Sequence, residues 1–279
     1  MLKFAFFGSD SIAIPVLDEL ENAGFLPSVV VCSKDMPKGR GLVITPPPAK
    51  LWAVERNIPV IQPKKLDEDF ISQLKAFNLQ LGVIASYGKI IPENILNLFP
   101  KGLVNVHPSL LPKLRGPSPL ESTILYENEA GVTIIKLDSR MDHGPIIAKE
   151  KVNIEVWPPK YSYLEKTLGR AGGKLLVSVL EDYINEQLVP EEQVHADASF
   201  TKKFTKEDGL IDLSENSEKN LRKIRAFEEW PGTYFFTEKN GKKIRVKITE
   251  AHINDGELQI DRVIPEGKKE MDFTSFSRT

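Results

Sequence analysis

The chain has 279 residues, 41% hydrophobic and 27% charged, with a net charge of −2 at neutral pH. That length exceeds what one core usually fills, so two domains are expected, and the near-neutral balance excludes a general nucleic-acid binder with a broad basic face. A single cysteine, Cys32, excludes an intramolecular disulfide and a zinc site built on several thiolates. No apolar stretch approaches the roughly 20 residues that span a bilayer. The start, MLKFAFFGSDSIAIP, lacks the basic flank, long apolar core and cleavage site of a secretory signal, so a cytoplasmic location is expected.

Residues 2–8 form an apolar run that stops at Gly8, after which Ile12, Val16, Leu17 and Leu20 recur at helical spacing. A second run at 28–31 enters a loop at 34–48 rich in proline, glycine and lysine. A helix near 49–56, a strand at 58–61 and a helix near 67–76 follow. The segments 80–85, 102–107 and 131–137 are mostly apolar, as strands buried on both faces are. Alternating strands and helices imply βαβ units, and so a doubly wound, mostly parallel Rossmann-like α/β domain over 1–190. Residues 161–186 form one amphipathic helix with Leu164, Leu168, Leu175, Val179 and Ile184 near one face. From 187 the pattern loses its period, and 191–204 is a linker. Over 205–279 a helix near 215–227 precedes β segments at 233–237, 243–251, 256–264 and 271–274, with hairpin turns at Asn240-Gly241 and Asp255-Gly256. This half is expected to be a small OB-like β-barrel.

Chemistry concentrates at 105–119, NVHPSLLPKLRGPSP. Asn105 and His107, two apart on a strand, face the same way, with Val104 and Val106 opposite. They lie at the C-terminal end of a parallel strand, where open α/β sheets bind ligands. The prolines after them delay any helix until about Pro117 and leave backbone groups free to bind. A second segment, LDSRMDHGP at 137–145, follows another strand and offers Asp138 and Asp142, with Gly144 permitting a tight turn. Each of these residues also has a plain structural reading: a packed histidine, or an aspartate that forms a turn.

The stretch NVHPSLLPKLRGPSP, followed after a helix by GVTIIKLDSRMDHGP, resembles the folate-dependent formyltransferases. The resemblance implies a catalytic trio of Asn105, His107 and Asp142, a folate-contacting loop over Ser109, Leu110, Leu111 and Pro112, and a second folate-lining stretch, ASYGKIIP. That stretch places Ser86, Tyr87, Gly88, Ile90 and Ile91 at the pocket, with Asp138 beside it and Arg115 able to steer an anionic group. The FFGSDSIAIPVL start, PKGRG at 37–41, TKEDGLID at 205–212, RAFEEWPGTY at 225–234 and PEGKKEM at 265–271 narrow the resemblance to family members whose acceptor is initiator methionyl-tRNA. It implies 10-formyltetrahydrofolate as co-substrate, no metal, no membrane and a monomer. Lys38 and Arg40, Lys206, and the basic run with Lys242, Lys243 and Arg245 are then the expected tRNA contacts. The chain departs from the family pattern at Pro117–Glu121.

The trio suits the reaction. An amine attacking a formyl carbon builds negative charge on oxygen, and hydrogen-bond donors aimed there commonly supply a few kcal/mol. Asn105 offers a fixed N–H, and His107 a charge-assisted one when protonated, a form that a neighbouring carboxylate favours. Asp142 would fill that place and accept the amine's proton, directly or through water. His143 is read as structural, His195 and His252 show no partner, and Trp230 in Trp230-Pro231-Gly232 is expected to pack in the core. Rival readings are an amino-sugar nucleotide formyltransferase, a formyl-tetrahydrofolate hydrolase and a non-catalytic RNA-binding protein. A nucleotide-dependent dehydrogenase fails because FFGSDSIAIP holds one glycine where the dinucleotide fingerprint needs three.

Overall fold

The computed structural model describes residues 2–39, 41–239 and 241–278. The chain divides into two compact units. The first comprises residues 1–117, 130–153 and 165–200, and the second comprises 118–129, 154–164 and 201–279.

In the first unit, strand β1 (Phe4–Phe7), helix α1 (Ala13–Asn22), β2 (Val29–Val31), a small hairpin of β3 (Met36–Lys38) and β4 (Val43–Thr45), α2 (Pro48–Glu55), β5 (Val60–Ile61), α3 (Glu68–Lys75), β6 (Leu81–Ile84), α4 (Glu93–Leu96) and β7 (Leu103–His107) follow in turn. After α5 (Pro119–Tyr126), which belongs to the second unit, come β8 (Ala130–Lys136), β9 (Ile146–Val152) and the long α6 (Tyr161–Ile184), of which residues 165–184 belong to the first unit. The hairpin lies inside the segment expected to be loop. Its pairing of Pro37 with Ile44 and Lys38 with Val43 needs no apolar face, and Val43 and Ile44 are exposed.

The seven-stranded sheet has the order β5-β2-β1-β6-β7-β8-β9. Strands β5 to β7 are parallel, and the chain reverses its winding between β1 and β6, the topological switch where such sheets open a crevice. The parallel expectation fails for 131–137. Strand β8 runs antiparallel to β7, with His107 opposite Thr133 and Val104 opposite Lys136. An apolar run records burial on both faces but not direction. Strand β9, antiparallel to β8, has no sequence signal because Lys149, Glu150 and Lys151 leave it half exposed as an edge strand.

Two cores flank the sheet. Phe4, Phe6, Val104 and Val106 pack with Leu17 of α1 and with Leu176 and Leu180 of α6. Ala5, Phe7, Val31 and Leu103 pack on the other face with Phe70 and Leu74 of α3 and with Tyr87. Helix α3 starts where the Asp67 carboxylate accepts from Phe70 N, and Glu68, Asp69 and Lys75 complement its dipole. Gly172 lets α6 lie close on β7, since a Cβ there would stand 2.4 Å from Val106 Cγ1. Among the described residues no helix is long and apolar enough to cross a membrane.

Cys32 follows β2 directly with no exposed surface, and burial pushes its thiol up from about 9 to about 11, against the pull of Lys50. The stability gained by keeping it protonated is complete below about 9 and is lost as the pH rises through about 11. A thiol reagent at pH 8 is therefore expected to leave the native protein unmodified and to label one thiol fully after denaturation. Rapid native labelling would show that the β2 end opens.

In the second unit, α7 (Ser217–Ala226), capped by the Asn216 side chain on Lys219 N, packs on a meander of β10 (Thr233–Lys239), β11 (Lys242–Asn254), β12 (Glu257–Pro265) and β13 (Met271–Asp272), closed by α8 (Phe273–Ser277). Ile224, Phe235, Val246, Ile248, Val263 and Phe276 form its core. The Arg222 guanidinium donates to Ile124 O, Glu127 O and Asn128 Oδ1, satisfying the C-terminal end of α5. Trp230 departs from expectation: it is 52% exposed. The corner is packed by backbone instead, since a Cβ on Gly209 would stand 2.1 Å from Gly232 O and 3.3 Å from Pro231.

Candidate active site

The site grows from the end of β7. Val104 and Val106 point into the core under α6, so Asn105 and His107 share the opposite face. His107 is 4% exposed, and its Nε2 lies 3.1 Å from Leu114 O. A carbonyl only accepts, so Nε2 carries a proton and Nδ1 is the nitrogen turned to the site.

Asp142 joins them by a longer route than parallel strands would give. Because β8 is antiparallel, the segment 137–145 begins at the far end of β7, where Leu137 N donates to Leu103 O. The loop then doubles back. Gly144 lies so close to Lys136 O that a Cβ would stand 1.9 Å from it, and Asp142 takes a left-handed φ of 48°. The turn delivers the carboxylate to the trio. Oδ1 lies 3.4 Å from Asn105 Nδ2 and 3.6 Å from His107 Nδ1, while Oδ2 accepts from Gly116 N at 2.8 Å.

The 108–116 segment is less free than its prolines suggested. Ser109 Oγ donates to Lys113 O, Leu114 N donates to Ser199 Oγ, and Lys149 Nζ donates to Leu111 O. Thr133, wholly buried opposite His107, donates to Ser109 O at 2.7 Å and accepts from Leu111 N at 3.1 Å. One hydroxyl thus pins both shoulders of the loop. A Thr133→Val variant is expected to lose about 1–3 kcal/mol by urea denaturation. The KM for a ligand bound against this loop should rise severalfold while kcat stays near wild type; an unchanged KM would remove Thr133 from the loop's support.

The remaining sequence-derived residues divide by burial. Tyr87, Ile91, Ser109 and Leu111 are buried, with the Tyr87 ring edge-on to Phe7 at 5.4 Å and Ile91 beside it in the α3-side core. Ser86, with φ of 52°, donates to Asp10 Oδ2 at 2.7 Å; Gly88 is exposed, Ile90 is 78% exposed, and Leu110 and Pro112 are half-buried. Asp138 is spent within its own loop, accepting from Arg140 N and bonding His143 Nδ1 at 2.6 Å. Arg115, expected as an outward arm, is 3% exposed. Its guanidinium donates to Gln193 Oε1 and, at 2.9 Å, to His195 Nδ1, and burial pushes its pKa down against the fields of Asp142 and Asp138.

His195 therefore has a partner, and it also stacks on His143 with ring centroids 4.0 Å apart. His252 has one as well, Asp261 at 2.9 Å. Gln193, a residue of the expected linker, was missed altogether; nothing local in the sequence signals it. Lys38 closes strand β3, Lys206, Lys242, Lys243 and Arg245 are exposed, and Arg40 lies outside the described residues. Among the described residues no group of three or more His, Cys, Asp or Glu is placed to hold a metal ion.

A doubly wound α/β sheet with an Asn–His–Asp cluster at the end of β7, followed by an antiparallel β unit, defines a two-part α/β enzyme. Residues 2–180 match the Formyl transferase family and residues 203–257 match Formyl transferase, C-terminal domain. The chain belongs to the formyl transferase family. It is 41% identical over 249 residues to the methionyl-tRNA formyltransferase of Chloroflexus aurantiacus, covering 88% of this chain and 79% of that one. It is 36% identical over 270 residues to that of Thermus thermophilus, covering 95% and 86%. Among solved structures, a methionyl-tRNA formyltransferase from Clostridium thermocellum superposes with a TM-score of 0.64 at 19% identity, over 98% of this chain and all (100%) of that one. A 4-N formyltransferase from Francisella tularensis gives 0.67 at 18% identity, over 90% and 99%. These last two likenesses speak to the fold.

Proposed function

We propose that the chain transfers the formyl group of 10-formyltetrahydrofolate to the α-amino group of initiator methionyl-tRNA, a step in translation initiation. The observation that carries this reading is the 36–41% identity, over most of both chains, to proteins named for that activity. It is supported by the convergence of Asn105 and His107 on the Asp142 carboxylate.

Asn105 and His107 act as donors toward the oxygen on which charge develops. With Nε2 committed to Leu114 O, the His107 nitrogen in play is Nδ1, which faces Asp142. Asp142, held by Gly116 N, is the group that accepts the amine's proton. Folate fits the loops after the neighbouring parallel strands β6 and β7. The exposed Ile90 beside the side-chain-free Gly88, with the half-buried Leu110 and Pro112, offers the apolar contact a flat ring needs. No step requires a metal.

We assign folate binding and chemistry to residues 1–190, a joining role to 191–204 and tRNA binding to 205–279, in a monomer acting in the cytoplasm. On the face of β10 and β11 turned away from the core, β10 carries Tyr234, Phe236 and Glu238, and the paired positions of β11 carry Lys247, Arg245 and Lys243. Tyr234 and Phe236 stand edge-on at 5.7 Å, with Lys243 Nζ 4.7 Å from the Phe236 ring centre and Arg245 5.3 Å from that of Tyr234. Cations beside exposed π-faces suit RNA, and Lys206, Lys242, Lys38 and Arg40 would add phosphate contacts.

The test is formyl transfer to methionylated initiator tRNA, with amino-sugar nucleotides and buffer as parallel acceptors. Fast tRNA-dependent product supports the reading; transfer only to a sugar, or release of formate alone, sinks it.

A further inference from the structure

Asp142 sits in a left-handed turn, and something must hold that turn against its strain. The holder comes from the segment after α6. There, Glu191 exchanges backbone hydrogen bonds with Ile146 in both directions, and the His195 ring stacks on His143. Between them the Gln193 side chain enters the site and is 4% exposed. Its Nε2 donates to Asp142 O at 3.0 Å and to Gly144 O at 2.7 Å, while its Oε1 accepts from Arg115 Nε at 3.1 Å and Nη2 at 2.6 Å. A guanidinium only donates and a carbonyl only accepts, so this is the one amide orientation that satisfies all four contacts.

We infer that Gln193 is a positioning residue for the formyl-transfer reaction: it fixes the backbone on both sides of the turn and so sets the place of the Asp142 carboxylate. The hydrogen bonds of Gln193 run to the backbone of Asp142 and Gly144 and to Arg115, so its route to the trio is the Asp142 turn. Residue 193 lies between the two stretches matched by the family, 2–180 and 203–257. The inference rests on the proposed role of Asp142, but its geometric half does not.

The test compares Gln193→Glu and Gln193→Met with the wild type. Glutamate keeps the shape and the Arg115 pair but has no N–H for the two carbonyls; methionine keeps the length and drops all four bonds without adding charge. Each variant is expected to lose about tenfold or more in kcat, as a displaced carboxylate does, with KM for folate within about twofold of wild type. Neither variant should lower the rate of an Asp142→Asn enzyme further. Exchange of the Gly116 amide, whose acceptor is Asp142 Oδ2, is expected to speed up about tenfold in the folded variants, because that bond is released. Wild-type kcat together with wild-type Gly116 exchange in either folded variant overturns the inference. Faster Gly116 exchange in a protein whose wild type transfers no formyl group would overturn the proposed activity and leave Gln193 as the holder of the turn.

Discussion

Asp142→Asn is expected to cut formyl transfer by roughly a hundredfold to ten-thousandfold while leaving the fold intact, the range over which loss of a positioned acid–base group acts. Asparagine can still accept from Gly116 N through its carbonyl oxygen, as Oδ2 does at 2.8 Å. It also tolerates the left-handed φ of 48° at this position better than most residues. What it removes is the negative charge 3.6 Å from His107 Nδ1 and the lone pairs that would take the amine's proton. Alanine removes the charge and the Gly116 bond together, so it should show the same rate loss plus about 1–2 kcal/mol of destabilisation. Single-turnover transfer and urea denaturation of both variants separate the two effects. An Asp142→Asn enzyme at wild-type rate would take the carboxylate out of the chemistry.

The pieces of this site were legible in the sequence to different depths. Residue type and a spacing of two place Asn105 and His107 on one face of a strand, and their neighbours Val104 and Val106 lie in the opposite core. Adjacent strand ends and family likeness both predict Asp142 near His107, but the route differs, because periodicity does not encode strand direction. With β8 antiparallel, proximity depends on a loop that reverses over Gly144. The 34–48 hairpin and edge strand β9 escaped because neither buries an alternating face. A large aromatic at a corner reads as core, but Trp230 stays exposed because Gly209 and Gly232 bring backbone against backbone there. Gln193 and His195 were invisible for a topological reason. Their partner Arg115 lies 78 and 80 residues away, and the pairing exists only once the segment after α6 lies along the start of β9.

Arg115 gives the second large effect, in stability rather than in substrate contact. A surface arginine steering phosphate would be replaced by lysine with little cost to folding and a loss of affinity. A guanidinium that is 3% exposed behaves in the opposite way. Arg115→Met would strand Gln193 Oε1 and His195 Nδ1 without donors and leave the fields of Asp138 and Asp142 unbalanced. Stranding two buried acceptors that were each bonded to a charged donor costs about 3–5 kcal/mol together, against a typical total of about 5–15 kcal/mol. Lysine keeps a charge but cannot present two parallel N–H groups to Gln193 Oε1, so Arg115→Lys should fall between, losing about 1–3 kcal/mol. The affinity for tRNA, measured by filter binding on folded Arg115→Lys, should stay within about twofold of wild type, because no phosphate reaches a side chain at this depth. If Arg115→Lys unfolds at wild-type urea concentration yet binds tRNA tenfold more weakly, the guanidinium reaches its ligand after all, and the buried network with Gln193 and His195 is not its working state.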